Sequence, residues 1–221
     1  LDPERKATFD LNSLVFIINQ VLDPGIIWTR AESPYKTLKD LLDDARKRPG
    51  EIRAATTGIM GDDHLAILMM EEAAKVKFRI VHFDGGAHVF TAVLGGQVDV
   101  AFGNVGDIAG KMKGKQLHVL MAMDPERSKF VPDAPTGAEL GFPGVISSST
   151  RGVFGPKGIP DPIVRKIQTV FGEAMKDPEH IDKMDKSGLA VRPMVGAEYD
   201  KYVRDLQKRV IPLVEIARKT K

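Results

Sequence analysis

Apolar residues fall into short runs that alternate with segments of helical period along most of the chain. Runs 14–18 and 25–28 read as strands, and Leu38, Leu41, Leu42 and Ala45 mark one face of a helix that Pro49 and Gly50 bring to an end. A strand at 52–56 then leads through a small polar loop into a helix over 62–75, with Leu65, Leu68, Met69 and Glu72 at helical spacing. The rhythm repeats with a strand at 78–82, a loop at 83–87 and a helix carrying Val89, Phe90, Val93 and Leu94. It repeats again with a strand at 98–102, a turn at 103–106, a short helix over 107–113 and a strand at 117–123. Residues 125–144 are loop-rich, and 147–149 read as a solvated serine linker. A short extended piece at 152–155 precedes helices at 162–176 and 178–187, a strand at 189–192 and a long helix at 197–219, which Pro212 kinks or shortens. Strands alternating with helices predict an α/β fold with a parallel sheet and right-handed crossovers.

In such sheets ligands sit beyond the carboxyl ends of the strands, where loops and helix N-termini converge. Loops 56–62, 83–87 and 103–106 each carry glycine and each lead into a helix. A helix N-terminus leaves about four N–H groups without intrahelical partners and concentrates roughly half a positive charge, so it attracts anions. In the first loop Gly58 and Gly61 let the backbone approach a ligand, and Thr56 and Thr57 supply hydroxyls. Gly61 or Asp62 also serves as an ordinary N-cap, and the two readings are compatible.

Other chemistries find little footing. The loop lacks the spacing and lysine of a phosphate-binding P-loop. The carboxylates and imidazoles of Asp62, Asp63, His64, His82, Asp84 and His88 follow no metal-binding spacing, and no serine nucleophile elbow is present. No catalytic residue, metal or cofactor is therefore expected. The last helix, with Val203, Leu206, Val210 and Leu213 in register, reads as core packing, and Trp28 as partly buried. Basic and acidic residues number 32 and 30 and are spread along the 221 positions, which leaves no basic stripe for nucleic acid. With no cysteine, thiolate catalysis and Cys-ligated zinc are excluded. No apolar run approaches the roughly 20 residues that span a bilayer.

Several segments in collinear order carry a resemblance to a known family. They are 33–41 (SPYKTLKDL), 48–50 (RPG), 55–58 (ATTG) with 64–66 (HLA), 85–86 (GG), 94–99 (LGGQVD), and Arg127 through Pro135-Thr136 to 141–144 (GFPG). Segments 155–162 (GPKGIPDP) and 174–178 (AMKDP) fit the same pattern. Together they resemble the substrate-binding proteins of tripartite tricarboxylate transporters, the TctC or Bug family. The resemblance implies a type II-like periplasmic binding protein with two α/β lobes joined at a hinge, closing on a small carboxylate that it delivers to membrane transporter subunits. It implies a monomer in the periplasm with no nucleic-acid partner. One lobe would run over 29–149, and the other would comprise 1–28 and 150–221. Relatives begin many tens of residues earlier with an extended strand and a glycine-rich loop, so the first lobe is expected to be incomplete in this chain. The effector-binding domain of a transcription regulator is the alternative with this lobe architecture.

From the resemblance, Thr56, Thr57, Gly58, Gly61, Gly85, Gly86, Ala87 and Asn104 are the carried-over ligand contacts, matching the loops read from the helix termini. Asp62, His64, Phe83 and Val105 complete the candidate set. Two features depart from the family. Asp62 and Asp63 stand where relatives have small polar residues, and Phe83-Asp84-Gly85-Gly86 where relatives have Tyr-Lys-Gly-Gly. Carboxylates within ~4–6 Å of a bound anion oppose it, so Asp62 and Asp63 either point away as cap and first-turn residues or select a ligand that is singly charged or carries an amine or amide.

Overall fold

The computed structural model describes residues 6–219. The chain forms two compact units, Asp23–Ser149 on the one hand and Leu1–Leu22 with Thr150–Lys221 on the other. Strand β1 (Leu14–Arg30) runs through both.

The Asp23–Ser149 unit is built on β2 (Arg53–Thr57), β3 (Arg79–Phe83), β4 (Val100–Asn104) and β5 (Leu117–Ala122). With β1 they lie in the order β3-β2-β4-β1-β5. The expectation of a parallel sheet holds for β3-β2-β4 and fails for the rest. Strand β2 is parallel to both β3 and β4, whereas β1 is antiparallel to β4 and β5. Alternation along β4 divides the core into two layers. Val100 and Phe102 pack with α1 (Leu38–Lys47) and α2 (Asp62–Ala74), while Ala101 faces α3 (Gly86–Leu94) and α4 (Val105–Ile108). Helix α1 starts where Thr37 Oγ1 accepts from Asp40 N and Asp40 Oδ2 accepts from Thr37 N, a reciprocal cap.

Five local expectations are corrected here. The separate strands at 14–18 and 25–28 are one continuous strand, with Asp23-Pro24-Gly25 inside it rather than in a turn. Pro24 has no N–H to give a ladder, and it sits where β1 changes pairing partners, between Val21 opposite Val191 and Gly25 opposite Asn104. The turn at 103–106 is instead the end of β4 plus the start of α4, and α4 passes into a 3-10 segment at Ala109–Gly114. Helix α2 is buried almost all round, including Asp63, His64 and Glu71, while Glu72 is exposed. Trp28 is fully rather than partly buried, against Phe90. The serines at 147–149 are no solvated linker: Ser147 is buried and Ser148 opens β6 (Ser148–Pro156).

In the other unit β6 and β7 (Val191–Val195) both pair with the first half of β1. Helices α5 (Asp161–Ala174), α6 (Pro178–Lys186) and α7 (Ala197–Lys219) complete it, α7 continuing through Pro212 without being shortened. Its β-strand core is small, with Ile17, Ile18 and Met175 buried among partly buried Val164 and Ile167. Among the described residues no helix is long and apolar enough to cross a membrane.

Candidate functional site

Parallel pairing places the carboxyl ends of β3, β2 and β4 side by side, so the three glycine-bearing loops emerge from one end of one sheet. The first two are tied together: Gly58 N donates to Phe83 O at 3.0 Å, and His82 Nδ1 meets Gly58 O at 3.1 Å. A carbonyl cannot donate, so that contact requires the proton on Nδ1 of His82. Gly58 at φ +76° and Met60 at φ +59° turn the chain back towards α2, and Met60 N donates to His64 Nδ1 at 3.0 Å. His64 is therefore neutral with its proton on Nε2, and burial together with the neighbouring His82 lowers its pKa to about 4. The two rings meet edge to face at 4.8 Å between centroids.

The two adjacent aspartates behave differently. Asp63 is buried and turns back into the loop, where its Oδ2 accepts from Thr57 Oγ1 at 2.6 Å and from Thr57 N at 3.3 Å. Burial, and next the charge of Asp62, push its pKa up to about 7 against the pull of the Thr57 bonds. Asp62 is half-buried with Oδ2 inaccessible and unpartnered, and its carbonyl accepts from Ser147 Oγ at 3.3 Å. Thr56 is fully buried, and its Oγ1 also lacks a protein partner.

Helices α2 and α3 start alike. Their N-caps are Gly61 and Gly85, and neither receives a side-chain capping bond. In the same chain Thr37 caps α1 and Asp177 caps α6 with their side chains. Glycine caps leave the first-turn N–H groups open to an incoming acceptor. Helix α2 carries Asp62 and Asp63 in its first turn, whereas α3 has no acidic residue there. Gly85 and Gly86 are half-buried, and Ala87 is exposed.

The third loop is used for structure. Asn104 is buried and its Nδ2 donates to Asp23 O at 3.1 Å; Val105 is fully buried in the core. Asp107 Oδ2 accepts from Asn104 N at 3.0 Å, and its Oδ1 lies close enough to Gly86 that an added Cβ would come within 3.1 Å. Phe83 packs its ring against the α3-side core. The structure thus gathers Thr56, Thr57, Gly58, Gly61, Asp62, Gly85, Gly86 and Ala87 around the strand ends, while Val105 lies in the core and the side chains of Asn104, His64 and Phe83 make contacts within the fold.

Three participants escape sequence reading. Asp23 is fully buried, with Oδ1 accepting from Gly106 N at 3.0 Å; its strand neighbour Gly25 pairs with Asn104 because β1 runs antiparallel to β4. Ser147 arrives from the far end of the unit and Asp107 from inside α4. Only the antiparallel register of β1 reveals the first, and no local motif marks the others. Among the described residues no three His, Asp or Glu side chains converge as a metal site. A cavity of about 380 Å³ in this unit lies elsewhere, beside β5, between Leu38, His118, Leu120, Phe130 and Pro132.

Comparison with known proteins agrees with this architecture. An uncharacterised protein of Pseudomonas sp. strain P51, from the tcbD-tcbE intergenic region, is 26% identical over 167 residues, 75% of this chain and 50% of its own. The chain spans about half the length of the curated relatives it matches. A TctC solute-binding protein from Polaromonas superposes with a TM-score of 0.79 at 24% identity, over 94% of this chain and 72% of its own. The R. palustris protein Rpa4515, solved with adipate, superposes with a TM-score of 0.78 at 20% identity, over 95% of this chain and 70% of its own. Both likenesses give the fold, that of type II-like periplasmic binding proteins. The family model of tripartite tricarboxylate transporter receptors matches residues 4–218, so the chain belongs to the TctC receptor family.

Proposed function

We propose that this chain serves a periplasmic solute-binding receptor that holds a small organic acid at the strand ends of its Asp23–Ser149 unit and passes it to a tripartite tricarboxylate-type membrane transporter. The observation that carries the reading is the pair of glycine-capped helix N-termini, α2 and α3, opening side by side without side-chain caps. Unspent amides at a helix N-terminus hold carboxylates through backbone hydrogen bonds and the helix dipole. The family supports a receptor without covalent chemistry, and a relative of the same fold binds adipate.

Electrostatics favours α3 for the carboxylate. Asp62 and Asp63 already occupy the first turn of α2, while Gly85, Gly86 and Ala87 lead into α3 with no acidic side chain of their own. Asp62, Asp84 and Asp107 nevertheless lie around this end of the sheet, and loops 56–62, 83–87 and 103–106 contain no lysine or arginine. A singly charged or zwitterionic acid, an amino acid or aromatic acid among them, then fits better than a dianion.

A thermal-shift series at pH 7 with adipate, a monocarboxylate and a zwitterionic amino acid tests this, because a ligand that binds only the folded state raises the melting temperature. The expected result is a rise with at least one acid and the smallest rise with adipate. No response to any acid overturns the carboxylate reading. A larger response to adipate than to the other two overturns the electrostatic ranking alone.

A further inference from the structure

Within the Asp23–Ser149 unit the outer edge of β5 is open. Strand β5 ends the order β3-β2-β4-β1-β5, and Ala31 N donates to Gln116 O at 2.7 Å just before it begins. An antiparallel ladder alternates between pairs that exchange hydrogen bonds and pairs that do not. His118, opposite Thr29, therefore follows Gln116 in bonding to β1, while the N–H and C=O groups of Leu117 and Val119 point away from it. The chain covers this edge itself only further on, where Ala122 N donates to Pro135 O at 2.8 Å, Gly137 N donates to Ala122 O at 3.1 Å, and Thr136 forms a parallel bridge with Ala122. Among the described residues no backbone pairs with the outward groups of 117 and 119. The cavity of about 380 Å³ lies astride this open stretch, lined without a break by residues 117–120. Its walls come from both faces of the sheet: Leu38 and Leu140 from the layer on α1 and α2, Met112 and Phe130 from the layer on α3 and α4.

We infer that this slot receives an extended peptide segment of another protein, which adds a strand to the edge of β5. A pocket on one face of a sheet is walled by one layer; space walled by both layers, with free hydrogen-bonding groups along one side, has the form of a strand position. Donors and acceptors that recur along an edge are satisfied together by an extended backbone. The neighbouring position on the same edge is already held by a backbone, that of 135–137. Four residues at about 3.3 Å each fill the stretch, about 13 Å in all. Their side chains enter apolar layers on both faces, which suits small β-branched residues. Charge sets one end of the segment. Lys36, exposed in the slot wall, donates from Nζ to Ala31 O at 2.5 Å, and exposed Lys115 lies two residues ahead of β5, so an acidic residue belongs where the segment passes the start of β5. This inference is independent of the acid proposed for the strand ends.

The test titrates the 221-residue chain with the peptide acetyl-Glu-Val-Thr-Val-Thr-Glu-amide and follows backbone amides by NMR. An acid at each end serves either strand direction. At millimolar peptide the amides of 117–120 and 130–134 are expected to shift, and those of loops 56–62 and 83–87 to stay in place. Two further peptides, N-methylated at both valines or at both threonines, separate strand addition from simple apolar contact, because only alternate N–H groups of an added strand face β5. Their affinities should differ at least 10-fold. Lys36→Glu, a change at an exposed side chain, should weaken the parent peptide at least 3-fold with the melting temperature unchanged. The inference is overturned if the peptide shifts no amide in 117–120, if the shifts fall on loops 56–62 and 83–87 instead, if the two methylated peptides bind alike, or if Lys36→Glu binds as tightly as the unaltered chain. It is also overturned if the same amides shift with protein concentration alone, since the occupant is then a second copy.

Discussion

Thr57 Oγ1 donates a 2.6 Å hydrogen bond to Asp63 Oδ2, and the Thr57 backbone N–H points to the same oxygen at 3.3 Å. One of the two aspartates expected to oppose an anion is thus folded back into its own loop. Because burial, and then Asp62, hold its pKa at about 7, it is substantially protonated at neutral pH and contributes less than a full charge. The unfolded carboxyl ionises near pH 3.9. Between about pH 4 and 7 the folded state therefore keeps a proton the unfolded state has lost, and stability falls as pH rises, by up to about 1.4 kcal/mol per pH unit. Asp63→Asn removes that slope while retaining an oxygen for Thr57. Urea midpoints at pH 5 and pH 7 check this: the unaltered protein should lose more stability over the interval than the variant. Parallel profiles would show that the carboxyl titrates normally.

His64 pulls in the opposite direction. Its folded pKa of about 4 lies below the ordinary value of about 6.5, so the unfolded state binds a proton that the folded state refuses. Its contribution grows as pH rises from about 4 to 6.5 and is lost on acidification through that window. Over that range the two neighbours offset one another. Asp63→Asn should uncover a rising profile and His64→Gln a falling one, each steeper than the unaltered protein in its own direction. In NMR the His64 ring signals should stay flat between pH 5.5 and 8; a midpoint near 6.5 would contradict the geometry at Met60 N.

The division of labour around these residues explains what sequence could reveal. The β-α rhythm is local, so β2, α2, β3, α3 and β5 are legible from periodicity and glycine punctuation. The loops at the strand ends are legible for the same reason. What escapes depends on partners distant in sequence. Asp23-Pro24-Gly25 has the composition of a turn, yet it lies within β1 because separate sets of strands flank its two halves. Asn104 has the composition of a ligand contact, and only the tertiary structure reveals that its amide donates to Asp23 O. Helix α2 shows little amphipathic pattern because packing from several sides buries even Asp63 and His64, so its acidic first turn gives no hint of where each carboxylate points.

Two loop glycines that look alike should answer differently to substitution. Gly58 holds φ at +76° with nothing within 4 Å of an added Cβ, so the obstacle is conformation rather than space. Gly58→Ala should cost about 1–2 kcal/mol, the penalty for a left-handed L-residue, and the β-branched Gly58→Val more. Gly85, at φ 172°, is extended and equally open, so Gly85→Val should change stability by about 0.5 kcal/mol or less. Its methyls would instead crowd the approach to the first amides of α3. Thermal melts with calorimetric titration of a bound acid separate the two effects. Gly85→Val should weaken binding about 10-fold or more with the melting temperature nearly intact. Unchanged affinity would move the carboxylate away from α3.

Asn104 provides the complementary case of a loop residue whose main role is the fold. Its Nδ2 reaches Asp23 O at 3.1 Å in a buried setting, while Asp23 Oδ1 accepts from Gly106 N at 3.0 Å, so the pair pins β1 to the β4-α4 junction. Asn104→Ala removes the donor to a buried carbonyl and should destabilise by about 1–3 kcal/mol. Asn104→Asp is nearly the same size but sets a carboxylate oxygen against that carbonyl, so at pH 7 it should be worse than alanine. Protonating the new carboxyl restores a donor, and stability should recover towards the unaltered protein below about pH 4. Denaturant unfolding at pH 7 and pH 4 distinguishes the substitutions, and acid titration measured well below each midpoint shows whether affinity follows. A loss of stability with affinity intact makes Asn104 a positioning residue for the start of α4. A loss of affinity without a loss of stability would instead put its amide on the ligand.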